Sequence, residues 1–134
     1  MAAERMEMVQ RSRLWETLGA QVVETGDNRA VVQYRAGEDW LIPSGRVQGG
    51  FLAAMIDSSM AVAIIGGLAP NQWHTTIEIK VNYFRAAPPG ILTAHSQVVW
   101  KGRNIVYAEA TLSHETAGLV AKGVSTCMIL RHRD

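Results

Sequence analysis

A nearly unbroken apolar run over residues 49–69 constrains this chain more than any other feature, because a single carboxylate, Asp57, sits inside it beside Ser58 and Ser59. The helical part of the run, residues 50–66, spans about 25 Å at 1.5 Å per residue, short of a hydrocarbon core roughly 30 Å thick. A charge near the centre of a membrane span is also costly. The run is therefore expected to be a buried helix in a chain that makes no membrane contact. Being apolar nearly all round, it should be wrapped on most sides by other structure. Gly66, Gly67, Pro70 and Asn71 close it.

The wrapping material follows. Residues 74–84, 91–101, 104–114 and 119–130 are four strand candidates, each ten or more residues long. In the first, alternation places Ile77, Ile79, Val81 and Tyr83 on one face and Thr76, Glu78, Lys80 and Asn82 on the other. Pro88-Pro89-Gly90, Gly102-Arg103 and Thr116-Ala117-Gly118 separate the strands, and such short links predict a meander of antiparallel neighbours. Upstream, residues 4–18 read as one amphipathic helix ended by Gly19. Met8, Trp15 and Leu18 share a side, and Glu7 pairs with Arg11 at i,i+4. Residues 21–24 and 29–35 are short strands joined by a Gly26-Asp27-Asn28 turn, and residues 37–45 form a loop with Pro43 and Gly45 as breakers. Residues 1–134 thus read as one α+β domain, a curved antiparallel sheet around one apolar helix.

Composition removes several function classes. Apolar residues at 48% and charged residues at 19% exclude a disordered chain. Thirteen basic against twelve acidic residues leave a net charge of +1, without the electrostatic footprint of a nucleic-acid binder. The single Cys127 excludes an intramolecular disulfide framework and any Cys-built zinc or iron–sulfur site. His74, His95, His114 and His132 show no metal-ligand spacing, so no metal site is expected and each reads as a surface or strand histidine. Ser58-Ser59 lacks a nucleophile elbow, and the glycines precede no Gly-Lys-Ser/Thr phosphate loop. The first nineteen residues mix charged and apolar types, unlike a secretory signal, so the expected compartment is the cytoplasm.

Two features can carry chemistry. Gly49 and Gly50 stand where the apolar helix begins. Glycines let a ligand approach the backbone closely, and the free N–H groups and dipole of a helix start suit a developing oxyanion. A Gly-rich turn needed only for packing is the other reading. Asp57 likewise has two readings. It is paired with a buried Arg or hydrogen-bonded to Ser58, Ser59 or backbone, or it is functional. Its position favours function, since it follows Gly50 by seven residues on one helix face with only small Ala53 and Ala54 between. Seven residues make about 10 Å of helix, whereas reacting atoms meet at about 3–3.5 Å. Two antiparallel copies about a two-fold axis would bring Gly50 of one to Asp57 of the other, in a dimer or a dimer of dimers. Lys101, Arg103 and Arg85 read as a cluster at strand ends, either gripping phosphates or serving as solubilising turn charges.

The run Gly45-x-Val47-Gln48-Gly49-Gly50-x6-Asp57 resembles the signature of hotdog-fold acyl-CoA thioesterases of the phenylacetic-acid-degradation type. Ile79-Lys80-Val81-Asn82-Tyr83-Phe84-Arg85-Ala86-Ala87 resembles the third-strand motif of that family, and Ala121-Lys122-Gly123 its last strand. The likeness covers residues 14–130. It implies a hotdog fold with active sites at a dimer interface, hydrolysis of an acyl-CoA to acid and free coenzyme A, and no metal or redox cofactor. It also implies roles. Asp57 is the nucleophile or general base, Gly50 beside Gly49 polarises the thioester carbonyl, and Thr76 positions the water or the carboxylate. Lys101, Gly102 and Arg103 meet the nucleotide end of coenzyme A, with Arg85 grouped with them. Two departures stand out. Gln48 replaces the usual His; its amide donates a hydrogen bond but does no acid–base work near pH 7. Ile42 falls where many members have Asn, with Ser44 the nearest polar substitute. The alternative implied by Gln48 is a hotdog protein that binds acyl-CoA or another apolar acyl ligand with little turnover. Hydratase chemistry is disfavoured because Asp57 has no His partner on its helix.

Overall fold

The computed structural model describes residues 2–132. The elements run α1 (Ala2–Gln10), α2 (Arg13–Thr17), β1 (Gln21–Gly26), β2 (Arg29–Ala36), α3 (Gly49–Ile65), β3 (Gln72–Tyr83), β4 (Gly90–Lys101), β5 (Ile105–His114) and β6 (Gly118–Arg131). All six strands join one antiparallel sheet in the order β1-β2-β4-β5-β6-β3. Among the described residues no helix is long and apolar enough to cross a membrane.

The apolar run forms α3, which lies across one face of the sheet. Leu52, Met55, Ile56, Met60, Val62, Ala63 and Ile64 are buried against it. Each large side chain so buried contributes about 1.5–3 kcal/mol relative to exposure. Two buried hydroxyls fix the seating by donating to helix carbonyls, Tyr34 Oη to Met55 O at 2.8 Å and Ser96 Oγ to Ser59 O at 2.8 Å. On β6, a Cβ at Gly123 would overlap Ile56 Cγ2, so the glycine sets how closely helix and sheet approach. The helix is not covered on most sides, contrary to the sequence expectation. Ala53, Ala54, Asp57, Ala61 and Ile65 are only half-buried, and Gly50 is exposed.

The meander is also corrected. β4, β5 and β6 are successive neighbours, but β3 pairs with β6 and lies at the sheet edge, while β4 pairs with β2. The link of residues 84–89 therefore passes from the edge strand to a position three strands away. Three inter-strand spacings make about 14 Å, within the roughly 20 Å that six extended residues reach. Proline-rich and extended, the link runs past the start of α3, where Val47 N donates to Ala87 O at 2.8 Å. His114 holds the crossing from the other side. Its Nδ1 accepts from Thr116 N and Ala117 N, both at 3.1 Å, which leaves Nε2–H to donate to Pro89 O at 2.9 Å.

The N-terminal helix is two helices, not one. Ser12 is extended (φ −70°, ψ 148°), and its hydroxyl accepts from Trp15 N at 3.4 Å, capping a new helix in a new direction. α2 buries Trp15 against Tyr34 with ring centroids 6.3 Å apart, and Leu18 follows it inward. Met8 is on α1 and 74% exposed rather than beside them. The Glu7–Arg11 pair forms at 2.5 Å. The loop of residues 37–45 holds a short 3-10 turn, Glu38–Trp40, whose Trp40 is buried and stacks on Phe51 at 4.8 Å.

Candidate active site

The start of α3 is held from three sides. Trp40 lies on Phe51, Gln48 N donates to Trp40 O at 2.8 Å, and Tyr83 Oη donates to Gly49 O at 2.7 Å. Burial raises the Tyr83 phenol above its ordinary 10.0, which keeps it a hydrogen-bond donor. Gln48 is the helix N-cap, and its Oε1 accepts from Phe51 N at 3.3 Å. The side chain folds over Gly50, where a Cβ would stand 2.7 Å from Oε1. The carbonyl of Gln48 is thus committed to the helix, and its Nε2 amide is the part left to donate outward. As one of the first N–H groups of the helix, that of Gly50 has no intrahelical acceptor. A cleft of about 380 Å³ lies here, lined by Val47, Gly49, Leu52, Tyr83, Phe84 and Ala86 among others.

Two turns further along, Asp57 is half-buried. The neighbouring serines do not serve it. Ser58 Oγ donates to Met55 O at 3.1 Å and lies 2.7 Å from Tyr34 Oη, and Ser59 Oγ donates to Ile56 O at 3.0 Å. Among the described residues no cationic side chain forms an ion pair with Asp57. Its partner is Thr76, which donates to Oδ1 at 3.3 Å.

A β-bulge makes this contact. The β3–β6 register slips between Thr76 and Glu78, leaving Ile77 as an extra residue. Thr76 is opposite buried Cys127, and Ile79 is opposite buried Ser125, so both stand on the helix side of the sheet. Strict alternation assigns Thr76 to the face opposite Ile79. The bulge changes the phase of the strand and aims Thr76 at Asp57.

Sequence reasoning passes over His74. Two residues before Thr76 and opposite buried Ile129, it shares the inward face and is half-buried. Burial lowers its pKa from the ordinary 6.5, partly offset by the nearby negative charge of Asp57. The i,i+2 relation to Thr76 is the signal that could have found it.

Lys101, Gly102 and Arg103 lie together at the turn between β4 and β5, where Lys101 Nζ donates to Gly67 O. Arg131 ties the same end by donating to Asn104 Oδ1 at 3.0 Å and to Arg103 O at 2.5 Å. Arg85 does not join them. Lys101 is level with Val106, Cys127 and Thr76 across the sheet, whereas Arg85 lies nine residues beyond Thr76, roughly 25 Å away along the strand direction. There its guanidinium donates to Ala117 O. The expected three-residue cluster is thus two separate sites within one chain, because β3 and β4 run in opposite directions and finish at opposite ends of the strands.

Comparison with known proteins agrees with this architecture. Residues 44–121, which include α3 with Asp57, match the model of the thioesterase superfamily. The chain is 25% identical over 116 residues to a 1,4-dihydroxy-2-naphthoyl-CoA hydrolase of Listeria monocytogenes, covering 87% of this chain and 93% of that protein. A phenylacetic acid degradation-related protein of Ralstonia eutropha superposes with a TM-score of 0.85 at 27% identity, covering 92% of this chain and 97% of the other. A thioesterase family protein of Silicibacter pomeroyi shares the fold with a TM-score of 0.91 at 21% identity, over 98% and 100% of the two chains. With its six-stranded antiparallel sheet curved about α3, the chain has the hotdog fold and belongs to the thioesterase superfamily, as a thioester hydrolase.

Proposed function

We propose that the protein hydrolyses an acyl-CoA, with Asp57 acting on the thioester carbonyl and the α3 start of a second copy polarising it. The observation that carries this reading is the uncompensated carboxylate. Asp57 is half-buried in an apolar helix without an ion pair, held by one hydroxyl and flanked by small residues that leave room for a ligand. A partly buried charge kept without a countercharge is costly, and active sites are where such cost is found. The carboxylate removes a proton from water as the water adds to the carbonyl, or adds itself to give an acyl-enzyme anhydride that water cleaves. Either way the thiolate of coenzyme A leaves, takes a proton, and the acid is released. The reaction as written calls for no metal or redox cofactor.

The second copy is needed because Gly50 and Asp57 belong to one regular helix, about 10 Å apart. The edge strand β3 supports the pairing. It exposes Ile77, Ile79 and Tyr83 along an unpaired edge, with Phe84 just beyond it, a surface that invites another strand. An antiparallel second β3 would also carry its Arg85 towards the Lys101–Arg103 end, so basic groups that are far apart in one chain would converge on the phosphates of coenzyme A. Similarity to a naphthoyl-CoA hydrolase supports a coenzyme A thioester as substrate.

One observation favours slower chemistry: the Gln48 side chain caps α3 and offers only an amide N–H to the carbonyl. A protein that binds acyl-CoA with little turnover is the second reading. Thiol release from a set of acyl-CoAs, compared with the matching pantetheine thioesters, tests both. Steady release that favours the coenzyme A forms supports hydrolysis, and tight binding without release supports the alternative. Neither binding nor release would reject both.

A further inference from the structure

The residues assigned to the reaction leave two buried polar side chains of β6 without a role. Ser125 and Cys127 are 2% and 1% exposed and share the inward face of the strand. Ala or Val would serve packing alone at these positions, and a buried hydroxyl is kept at a cost unless it is bonded. Cys127 is the single cysteine of the chain. It stands directly opposite Thr76, the residue that holds Asp57.

The four side chains form one line from the core to the site. Ser125 Oγ lies 3.0 Å from Cys127 Sγ, Cys127 Sγ lies 3.8 Å from Thr76 Oγ1, and Thr76 Oγ1 lies 3.3 Å from Asp57 Oδ1. The far end fixes the direction of every proton. A carboxylate that acts as base or nucleophile is ionised and only accepts, so the one hydroxyl proton of Thr76 goes to Asp57. Thr76 is then an acceptor toward its other neighbour, and the thiol proton of Cys127 points at Oγ1. With its own proton spent, the sulfur accepts from Ser125. Among the described residues the side chains of Ser125, Cys127 and Thr76 make no other hydrogen bonds.

The two ends of the line differ in exposure. Thr76 is exposed on the edge strand, where water competes for its hydroxyl and rotation about χ1 can turn Oγ1 away from Asp57. Cys127 is fixed in the core behind it and offers a donor in one place. That donor favours the rotamer with Oγ1 between Sγ and Oδ1, and each bond in the line polarises the next.

We propose that Cys127, backed by Ser125, is a positioning residue of the reaction: its thiol holds the Thr76 hydroxyl with the proton on Asp57 and so keeps the carboxylate aimed. This rests on the reading of Asp57 as the group at the thioester carbonyl. The sulfur forms no bond to substrate and acts only through Thr76.

The test reads the thiol directly. A single cysteine gives a single S–H stretching band in the infrared, in a region clear of other protein absorption, and a donating thiol absorbs at lower frequency than a free one. The band is recorded for the ligand-free wild type, Thr76→Val, Ser125→Ala and Asp57→Asn. Thr76→Val removes the acceptor and should move the band to higher frequency. Asp57→Asn, two hydrogen bonds away, replaces a charged acceptor with a neutral one and should move it the same way by less. Ser125→Ala removes the donor to sulfur and should also move it upward. Thiol release from an acyl-CoA gives the second readout. Cys127→Ala should lower kcat by about two- to fivefold, the scale of one weak hydrogen bond, with KM unchanged. In a Thr76→Val background it should cost nothing further, because the bond is already gone. A cavity that merely loosens the core would cost as much in either background. Should Cys127→Ala fail to fold, the bands decide alone. A wild-type band at the free-thiol frequency, a band unmoved by Thr76→Val, or equal losses in the two backgrounds would overturn the proposal. If the bands move as expected while Asp57→Asn releases thiol at the wild-type rate, the line of bonds is real but the reading of Asp57 falls, and the role in the reaction with it. If Asp57→Asn abolishes release and the bands do not move, the reading of Asp57 stands and the role of Cys127 falls.

Discussion

The hydroxyl of Thr76 reaches Asp57 across 3.3 Å, joining the edge strand to the central helix where the helix is least covered. The contact is longer than an ordinary O–H···O bond, about 2.7–2.8 Å. It orients the carboxylate without enclosing it, leaving the second oxygen free for water or a carbonyl.

Asp57→Asn should therefore fold and lose at least about 100-fold in kcat, the scale of a positioned proton-transfer group. Thr76→Val keeps the shape and removes one hydrogen bond of about 0.5–1.5 kcal/mol, so its loss should be about three- to tenfold. Thiol release measures both. An active, folded Asp57→Asn protein would dismiss the carboxylate from the chemistry.

Gln48 has two separable jobs, the cap on Phe51 N and the outward amide. Gln48→Ala should cost about 0.5–2 kcal/mol of stability from the lost cap, and several-fold to about 100-fold in kcat from the lost donor. Gln48→Ser can restore the cap through its hydroxyl but not the donor, so stability should return and rate should not. Gln48→His should raise the rate. Full activity in both the Ala and Ser variants would reduce Gln48 to a structural cap.

Protonation of His74 should weaken the fold. Its folded pKa lies below 6.5 because burial disfavours the charged form, with Asp57 opposing in part. Below pH 6.5 the unfolded chain thus binds more protons than the folded one. The contribution of the neutral imidazole is whole above the unfolded pKa and declines as pH falls toward the folded one. Urea midpoints measured downward from pH 6.5 should fall less steeply for His74→Gln than for wild type. Asp57→Asn removes the opposing charge and should carry the decline to lower pH. Identical profiles in all three proteins would contradict the assignment.

A site shared between copies can be tested by complementation. Asp57→Asn chains and Gly50→Val chains, each folded and inactive alone, are refolded together. Each mixed dimer has one site with both lesions and one with neither. Random mixing should restore about a quarter of wild-type activity per chain. Mixed dimers as inactive as their parents would require a site within one chain.

Much of this is legible in the sequence. Alternation and turn residues locate all six strands, and the apolar run locates α3, since both signals are local. Pairing partners are not local: nothing in Pro88-Pro89-Gly90 says that the chain crosses to β2, a choice made by the packing of β4 against residues fifty and more positions upstream. Ser12 reads equally well inside a helix or as a cap until Trp15 finds Tyr34. In the site, the Gly50–Asp57 spacing is plain, but periodicity puts Thr76 on the wrong face and leaves His74 with the other histidines. Both follow from one inserted residue, which period-two counting does not detect.

That inserted residue, Ile77, divides β3 into two halves of opposite parity. Before it, His74 and Thr76 face the helix; after it, Ile79, Val81 and Tyr83 do. The strand carries its reactive side chains on even positions and its packing side chains on odd ones, with a single residue as the clutch between them. Removing Ile77 places Thr76 directly before Glu78 in plain alternation, so both halves stay seated and His74 and Thr76 should still face the helix opposite Ile129 and Cys127. Such a protein is expected to keep its sheet, by circular dichroism, and to keep the link from Thr76 to Asp57. The bulge thus lets a strand that is one residue too long for plain pairing keep both of its halves aimed at the helix.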